Sequence, residues 1–211
     1  TVTNGLLFRS NNTLAGRGTI TGTITVAAGG TLAPGTPFGT IILNNSPTLQ
    51  GNLFIQIEKN NQILSNGQVQ VTGTLTYGGS LVVNDGLGLT GPNALAPGDR
   101  FQLFSAASYS GAFSSLSLPL LPAGLDWTNR LTVDGSIAVV YHPTLGLTWS
   151  GTNLIFSITG GSVGGTWNLL TTTNVALPLS SWTTNLSGIF DSSGGVSLTN
   201  SINPAEPQRY F

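Results

Sequence analysis

Gly18-Thr-Ile-Thr-Gly-Thr-Ile-Thr-Val26, followed by Ala27-Ala-Gly-Gly-Thr-Leu-Ala-Pro-Gly35, sets Thr19, Thr21, Thr23 and Thr25 against Ile20, Gly22, Ile24 and Val26. A period of two sends the threonines to one side of a strand and the apolar residues to the other. β-branched side chains suit a pleated, half-buried surface. Ala27 to Gly30 breaks the strand, and Ala33-Pro-Gly35 offers a tight turn. Pro34 presets φ for the first turn position, and Gly35 accepts the positive φ of the second. Strand, corner, strand: the stretch reads as one rung of a stacked β structure.

The flanking sequence repeats the pattern. Before it, Leu6-Leu-Phe8 and Asn11-Asn-Thr-Leu14 read as a strand and a turn leading into the first rung. A terminal strand leaves an edge that can pair with another chain. After it, Thr48 to Ile57 places Leu53, Ile55 and Ile57 on one face. Residues 68–77 alternate again, with Val69, Val71, Gly73, Leu75 and Tyr77 against Gln70, Thr72, Thr74 and Thr76. Two echoes support repetition: Leu32-Ala-Pro-Gly35 with Leu95-Ala-Pro-Gly98, and Gly18-Thr-Ile-Thr21 with Gly73-Thr-Leu-Thr76. Rungs that bury their apolar face only by stacking make a solenoid. A β-sandwich shares the same alternation and stays open as the other architecture for residues 1–85.

Residues 99–141 are less regular, with strands expected at 101–104 and 136–141. Ser117 to Pro122 is too proline-rich for an inner strand. His142-Pro143 marks a boundary, giving domains 1–142 and 143–211. The second carries Trp149, Trp167 and Trp182. Strands at 145–149, 153–159, 166–172, 181–184 and 195–199 would make a small antiparallel β-sandwich. The fold class expected is all-β: a right-handed β-solenoid followed by that sandwich.

Charged residues are 6 % of the 211, where roughly 25 % is usual. Thr, Ser, Asn and Gln must therefore supply the polar surface. Net charge is −1, with six basic residues spread singly, so there is no electrostatic footprint for nucleic acid or an anionic membrane. No run of about 18 apolar residues spans a membrane. Without cysteine, disulfides and Cys-ligated zinc are excluded. A chain starting at Thr1 without Met reads as a processed or truncated product.

Gly30-Thr-Leu-Ala-Pro-Gly-Thr-Pro-Phe-Gly-Thr40, Gly98-Asp-Arg-Phe-Gln-Leu-Phe-Ser105 and Tyr109-Ser-Gly-Ala-Phe113 resemble the C-terminal end of autotransporter passengers. They also resemble proteins with the autotransporter-associated β-strand repeat, over about residues 15–141. That resemblance implies a secreted or surface-exposed right-handed solenoid of adhesive or structural role. Gly165 to Asn174, Pro178 to Trp182 and Ile202 to Phe211 resemble a C-terminal module of secreted Verrucomicrobia-type proteins. Autotransporters continue into a membrane barrel of at least eight strands, each of ~9–11 residues. The residues after His142 are too few for one, which implies another export route.

Catalytic motifs fail on context. Gly86-Leu-Gly-Leu-Thr-Gly91 matches the dinucleotide fingerprint, but Pro92 to Pro97 cannot supply the required helix. Gly160-Gly-Ser-Val-Gly164 matches a nucleophile elbow at Ser162, yet strand pattern follows it, and the lone His142 precedes it. One histidine makes no zinc site. Asp85, Asp99, Asp126, Asp134 and Asp191 sit at turns, where Asx chemistry explains them. No cofactor and no metal is expected. Trp149 and Trp167 are assigned to core, while Trp127 and Trp182, near loops, are candidate glycan contacts.

The expectation is a non-enzymatic structural or surface protein, extracellular or on a bacterial cell surface. Its partners would be copies of itself, joined head to tail into a filament or layer, with Leu6, Leu7 and Phe8 as the candidate assembly edge. The alternative is an adhesin binding cell-surface or matrix glycans. A polysaccharide-acting enzyme rests on fold analogy alone.

Overall fold

The computed structural model describes residues 6–35, 37–86, 88–203, 205 and 208–211. The described chain is all-β, a little over half of it strand, and includes stacked parallel sheets. It forms two compact units: Thr1–Pro122 with Trp127–Val140, and Ala123–Asp126 with Tyr141–Phe211.

In the first unit the chain visits three sheets in turn and returns. The first circuit is β1 (Leu6–Phe8), β2 (Thr13–Gly16) and β3 (Gly18–Ile20). The second is β4 (Ile24–Val26), β5 (Thr31–Pro34) and β6 (Thr40–Leu43). The third has β7 (Thr48–Leu49), β8 (Asn52–Asn60), which forms a hairpin with β9 (Ile63–Asn66), and β10 (Gln68–Val71). Then come β11 (Thr74–Tyr77), β12 (Ser80–Asp85), β13 (Arg100–Gln102), β14 (Phe104–Ser105), β15 (Ser108–Gly111) and β16 (Ser115–Ser117). The sheets are β1-β4-β7-β11-β15, β2-β5-β8-β12-β16 and β3-β6-β10-β14. Every pairing along these three paths is parallel. The far end carries β17 (Leu125–Arg130), the one-turn helix α1 (Leu131–Asp134) and β18 (Ser136–Tyr141); β13, β18 and β17 form a separate sheet.

In-register stacking builds columns. Leu14, Leu32, Leu53, Leu81 and Leu116 lie one over another through the second sheet. Val26, Leu49 and Tyr77 do so in the first, and Ile41, Val69 and Phe104 in the third. Outside run hydroxyl ladders. Thr25, Thr48, Thr76 and Ser110 align, with Thr76 Oγ1 2.9 Å from Ser110 Oγ and Thr74 Oγ1 2.8 Å from Ser108 Oγ. Neutral ladders cover the surface where most proteins use charge.

The opening stretch is two strands, not one. Gly18–Ile20 lies in one sheet and Ile24–Val26 in another, with the corner at Thr21 to Thr23. Alternation carries through the corner: Ile20, Gly22, Ile24 and Val26 are all buried. Residues 48–57 and 68–77 split likewise at Gly51 and Gly73. Glycine takes the inward slot where two sheets meet. A Cβ on Gly51 would stand 2.2 Å from the Gly30 carbonyl oxygen, and one on Gly79 would meet the Gly51 oxygen. Pro34 ends β5 rather than opening a turn, while Gly35 does take a φ of 91°.

The second unit has a three-stranded antiparallel sheet of β19 (Thr144–Ser150), β20 (Asn153–Thr159) and β23 (Val196–Ser201). A separate antiparallel pair is β21 (Thr166–Thr171) and β22 (Thr183–Ile189). Residues 179–181 are a 3₁₀ turn, so the strand expected at 181 starts at 183. Leu154, Phe156 and Leu169 form the core, with Trp167, Leu198, Ile202 and Phe211 against it. Trp149, expected in the core, is 70 % exposed instead. It shares a sheet face with Leu154, but the covering side chains reach β20 and not β19.

Candidate functional site

The first circuit leaves one end of the parallel stack open among the described residues. β1, β2 and β3 are each outermost in their sheets. Leu6, Leu14 and Ile20 lie over Ile24, Leu32 and Leu43. With Arg17 and Ile41 they line a cavity of about 180 Å³ that exposes the interior of the stack. Of the sequence-predicted edge residues, Leu6 and Phe8 are half-buried and Leu7 is 51 % exposed. Residues 1–5, which precede that strand, lie outside the described residues. Unpaired N–H and C=O groups over an apolar interior are a template for further β structure.

The other end differs. α1 sits against β14 and β15. The N–H groups of Leu103 and Phe104 donate to the Gly135 carbonyl. Tyr77 Oη donates to the Leu131 carbonyl at 2.9 Å, and its ring lies among Phe104, Tyr109 and Phe113. Asp134 accepts from Arg130 Nε at 2.7 Å and stands 3.3 Å from Arg100. Burial works to raise its carboxyl, but bonds from Ser136 and Arg130 and the Arg100 charge hold it below the ordinary range. The outer edge of β16 carries no strand among the described residues, and Leu116 is 37 % exposed there.

Burial, then the neighbouring Tyr109 and Asp134 charges, push the Tyr77 phenol far above its ordinary value. The folded state thus holds the neutral form. Its contribution is complete below the unfolded tyrosine value of about 10 and is lost as pH rises above it. Urea midpoints measured between pH 8 and pH 11 should fall for the wild type. They should fall less steeply for Tyr77→Phe, since Tyr109, also raised by burial, remains. Equal slopes would refute this assignment.

A buried ion pair ties two excursions of the first unit together. Lys59, on β8 beyond the stacked part, is 3 % exposed, and its Nζ stands 2.8 Å from Asp99 Oδ2. Asp99 also accepts from the Ala96 N–H at 2.7 Å. Asp99 thus serves the 96–99 turn, as expected from the sequence; its second partner, Lys59, 40 residues away, leaves no sequence signal. Asp191 also serves a turn, accepting from the Ser193 and Gly195 N–H groups.

The two candidate glycan contacts are tied to their own backbone. Trp127 Nε1 donates to the Pro119 carbonyl at 2.9 Å, and its ring stands 6.2 Å from Phe101. Trp182 Nε1 donates to the Leu177 carbonyl at 3.0 Å. His142 Nδ1 lies 3.1 Å from Asp126. Gly91–Asn93 is a 3₁₀ turn rather than the helix a dinucleotide would need, and Ser162 is followed by β21. No helix is long and apolar enough to cross a membrane among the described residues. No group of His, Cys, Asp and Glu there could hold a metal ion. No family model, curated protein or solved structure matches this chain.

Proposed function

We propose that the chain is a right-handed β-solenoid followed by a small antiparallel β-sandwich, and that it is a secreted, non-enzymatic structural or cell-surface protein. Handedness follows the strong preference for right-handed connections between parallel strands of one sheet. The surface setting follows the resemblance to autotransporter-associated β-strand repeat proteins. Copies join head to tail, the β2 edge of one meeting the β16 edge of the next. The observation that carries this is the leucine column. It runs from Leu14 to Leu116, half-buried at one end and 37 % exposed at the other. Pairing β2 on β16 of a neighbour would continue the column across the junction. α1 covers the far ends of the other two sheets, so the second sheet alone makes this joint. The contact is heterologous and does not close, which makes a filament. A net charge of −1 leaves little repulsion between copies.

Negative-stain microscopy with light scattering tests it. The wild type should form filaments that grow with concentration. Leu14→Lys and Leu116→Lys should each abolish them while the protein stays folded, since both positions reach solvent. Discrete particles from the wild type, or filaments unchanged in both variants, would sink the reading.

A further inference from the structure

The second unit holds a concave site that the assembly reading leaves unused. Trp149, at the end of β19, stands 70 % exposed on the rim of a cavity of about 270 Å³. Leu154 and Phe211 form apolar wall, and Asn200, Asn203 and Gln208 bring amides to it. Arg209 also lines it, and among the described residues no carboxylate side chain does. Leu145 and Leu147, 55 % and 54 % exposed, continue the Trp149 face along β19.

The amides are already held in place. Asn200 Oδ1 accepts from Asn185 Nδ2 at 3.2 Å, which leaves its own amide hydrogens to donate. Asn203 Oδ1 accepts from the Ala205 N–H at 3.1 Å, with the same consequence. Gln208 Nε2 donates to the Thr173 carbonyl at 3.0 Å, which leaves Oε1 to accept. Groups fixed before a ligand arrives lose little entropy on binding it.

We propose that this cavity binds a neutral saccharide, one sugar ring lying on Trp149 and its hydroxyls meeting Asn200, Asn203 and Gln208. A pyranose has an apolar C–H face and an equatorial rim of hydroxyls that both donate and accept. That ligand needs one open aromatic face beside neutral donors and acceptors. An apolar ligand would leave the open ends of the three amides unmatched, which costs affinity. A polyanion would find one guanidinium. The apolar strip of Leu147 and Leu145 favours an oligosaccharide over a single ring. Trp127 and Trp182 take no part. The inference stands apart from filament assembly, which uses the first unit.

The test is a titration of the full chain followed by tryptophan fluorescence and saturation-transfer NMR. The probes are β-1,4-linked hexasaccharides of glucose, N-acetylglucosamine, mannose and xylose, with an oligogalacturonate as the anionic control. At least one neutral probe should bind saturably. Trp149→Ala should weaken it by about tenfold or more, the signature of a central contact. Gln208→Ala should weaken it by a smaller factor, and Trp182→Ala should leave it unchanged. Trp149 is exposed, so its variant should melt like the wild type; were it to unfold, Gln208→Ala decides. No saturable binding of a neutral probe up to about 10 mM, the millimolar limit of weak recognition, overturns the proposal. So does full affinity in folded Trp149→Ala, or binding of the oligogalacturonate alone. Filaments seen by microscopy are unaffected by any of these outcomes, so the two readings fail separately.

Discussion

Asp99→Ala should destabilise the first unit by about 3 kcal/mol or more, because it strands a buried ammonium. Lys59 is 3 % exposed and its Nζ lies 2.8 Å from Asp99 Oδ2. Desolvating the pair costs as much as its attraction returns, so the intact bridge adds little net stability. Breaking one side is another matter. With Asp99 gone, the ammonium keeps its desolvation cost and loses its counterion, and the Ala96 N–H loses its acceptor as well. The reverse change should be milder. Asp99 is 16 % exposed and keeps the Ala96 bond, so water can reach the orphaned carboxylate of Lys59→Met. The double variant Lys59→Met/Asp99→Leu should recover most of the loss, as apolar replacements of buried pairs do.

The order of the three variants is the diagnostic, since a general softening of the fold would not reproduce it. Thermal unfolding gives the order, and hydrogen exchange gives the place. Protection should fall in β8, β9 and the 95–103 stretch, where the Gly98 N–H donates to the Val139 carbonyl and the Val139 N–H to that of Asp99. Protection in β1 to β6 should hold. An Asp99→Ala protein within about 1 kcal/mol of the wild type would mean that the ammonium finds water, as an exposed pair would.

Alternation made the inward and outward faces readable from the residues alone. Leu53, Ile55 and Ile57 are all buried, as their shared face required. The corners were not readable, because Gly22, Gly51 and Gly73 hold the inward slot in phase and the pattern runs on past the bend. Stacking register was hidden for another reason. Thr25 lies beside Thr48, Thr48 beside Thr76 and Thr76 beside Ser110, so each circuit is longer than the last. The echoes noted in the sequence mislead: Gly18–Ile20 and Thr74–Tyr77 lie in different sheets, and Leu95 to Gly98 is a loop while Thr31–Pro34 is a strand. The recurring unit is smaller. Gly30-Thr-Leu32, Gly51-Asn-Leu53 and Gly79-Ser-Leu81 each turn the same corner and enter the same sheet. Its glycine is required because a side chain there would strike the carbonyl of the circuit before.

Trp149 shows the other limit. Period two says which residues share a face and nothing about whether a second layer reaches that face. Leu154 and Trp149 are cross-strand neighbours, one 9 % exposed and the other 70 %. The glycan reading therefore moves from Trp127 and Trp182 to a tryptophan that the pattern alone assigned to the core.

Leu53→Ala should cost about 4 kcal/mol, and so should Leu81→Ala, while Leu14→Ala costs about 1 kcal/mol. All three sit in one column of the second sheet and differ only in what lies on either side. Leu53 and Leu81 have no exposed surface and a leucine above and below, so truncation leaves a cavity that rigid neighbouring strands cannot close. Leu14 has Leu32 on one side and the open cavity on the other, so its methyl groups have less burial to lose. Denaturant midpoints measured at low protein concentration give the gradient. An antiparallel sandwich would tie cost to burial alone, without this order along one sheet. The proposed head-to-tail assembly would add a second axis. A neighbour's Leu116 over Leu14 would turn the end position into an interior one, so the Leu14→Ala penalty should grow with protein concentration while that of Leu53→Ala stays constant. A flat Leu14→Ala penalty across the range where the wild type makes filaments would place the joint elsewhere. A penalty at Leu14 equal to that at Leu53 in dilute protein would mean that the end is covered within one chain.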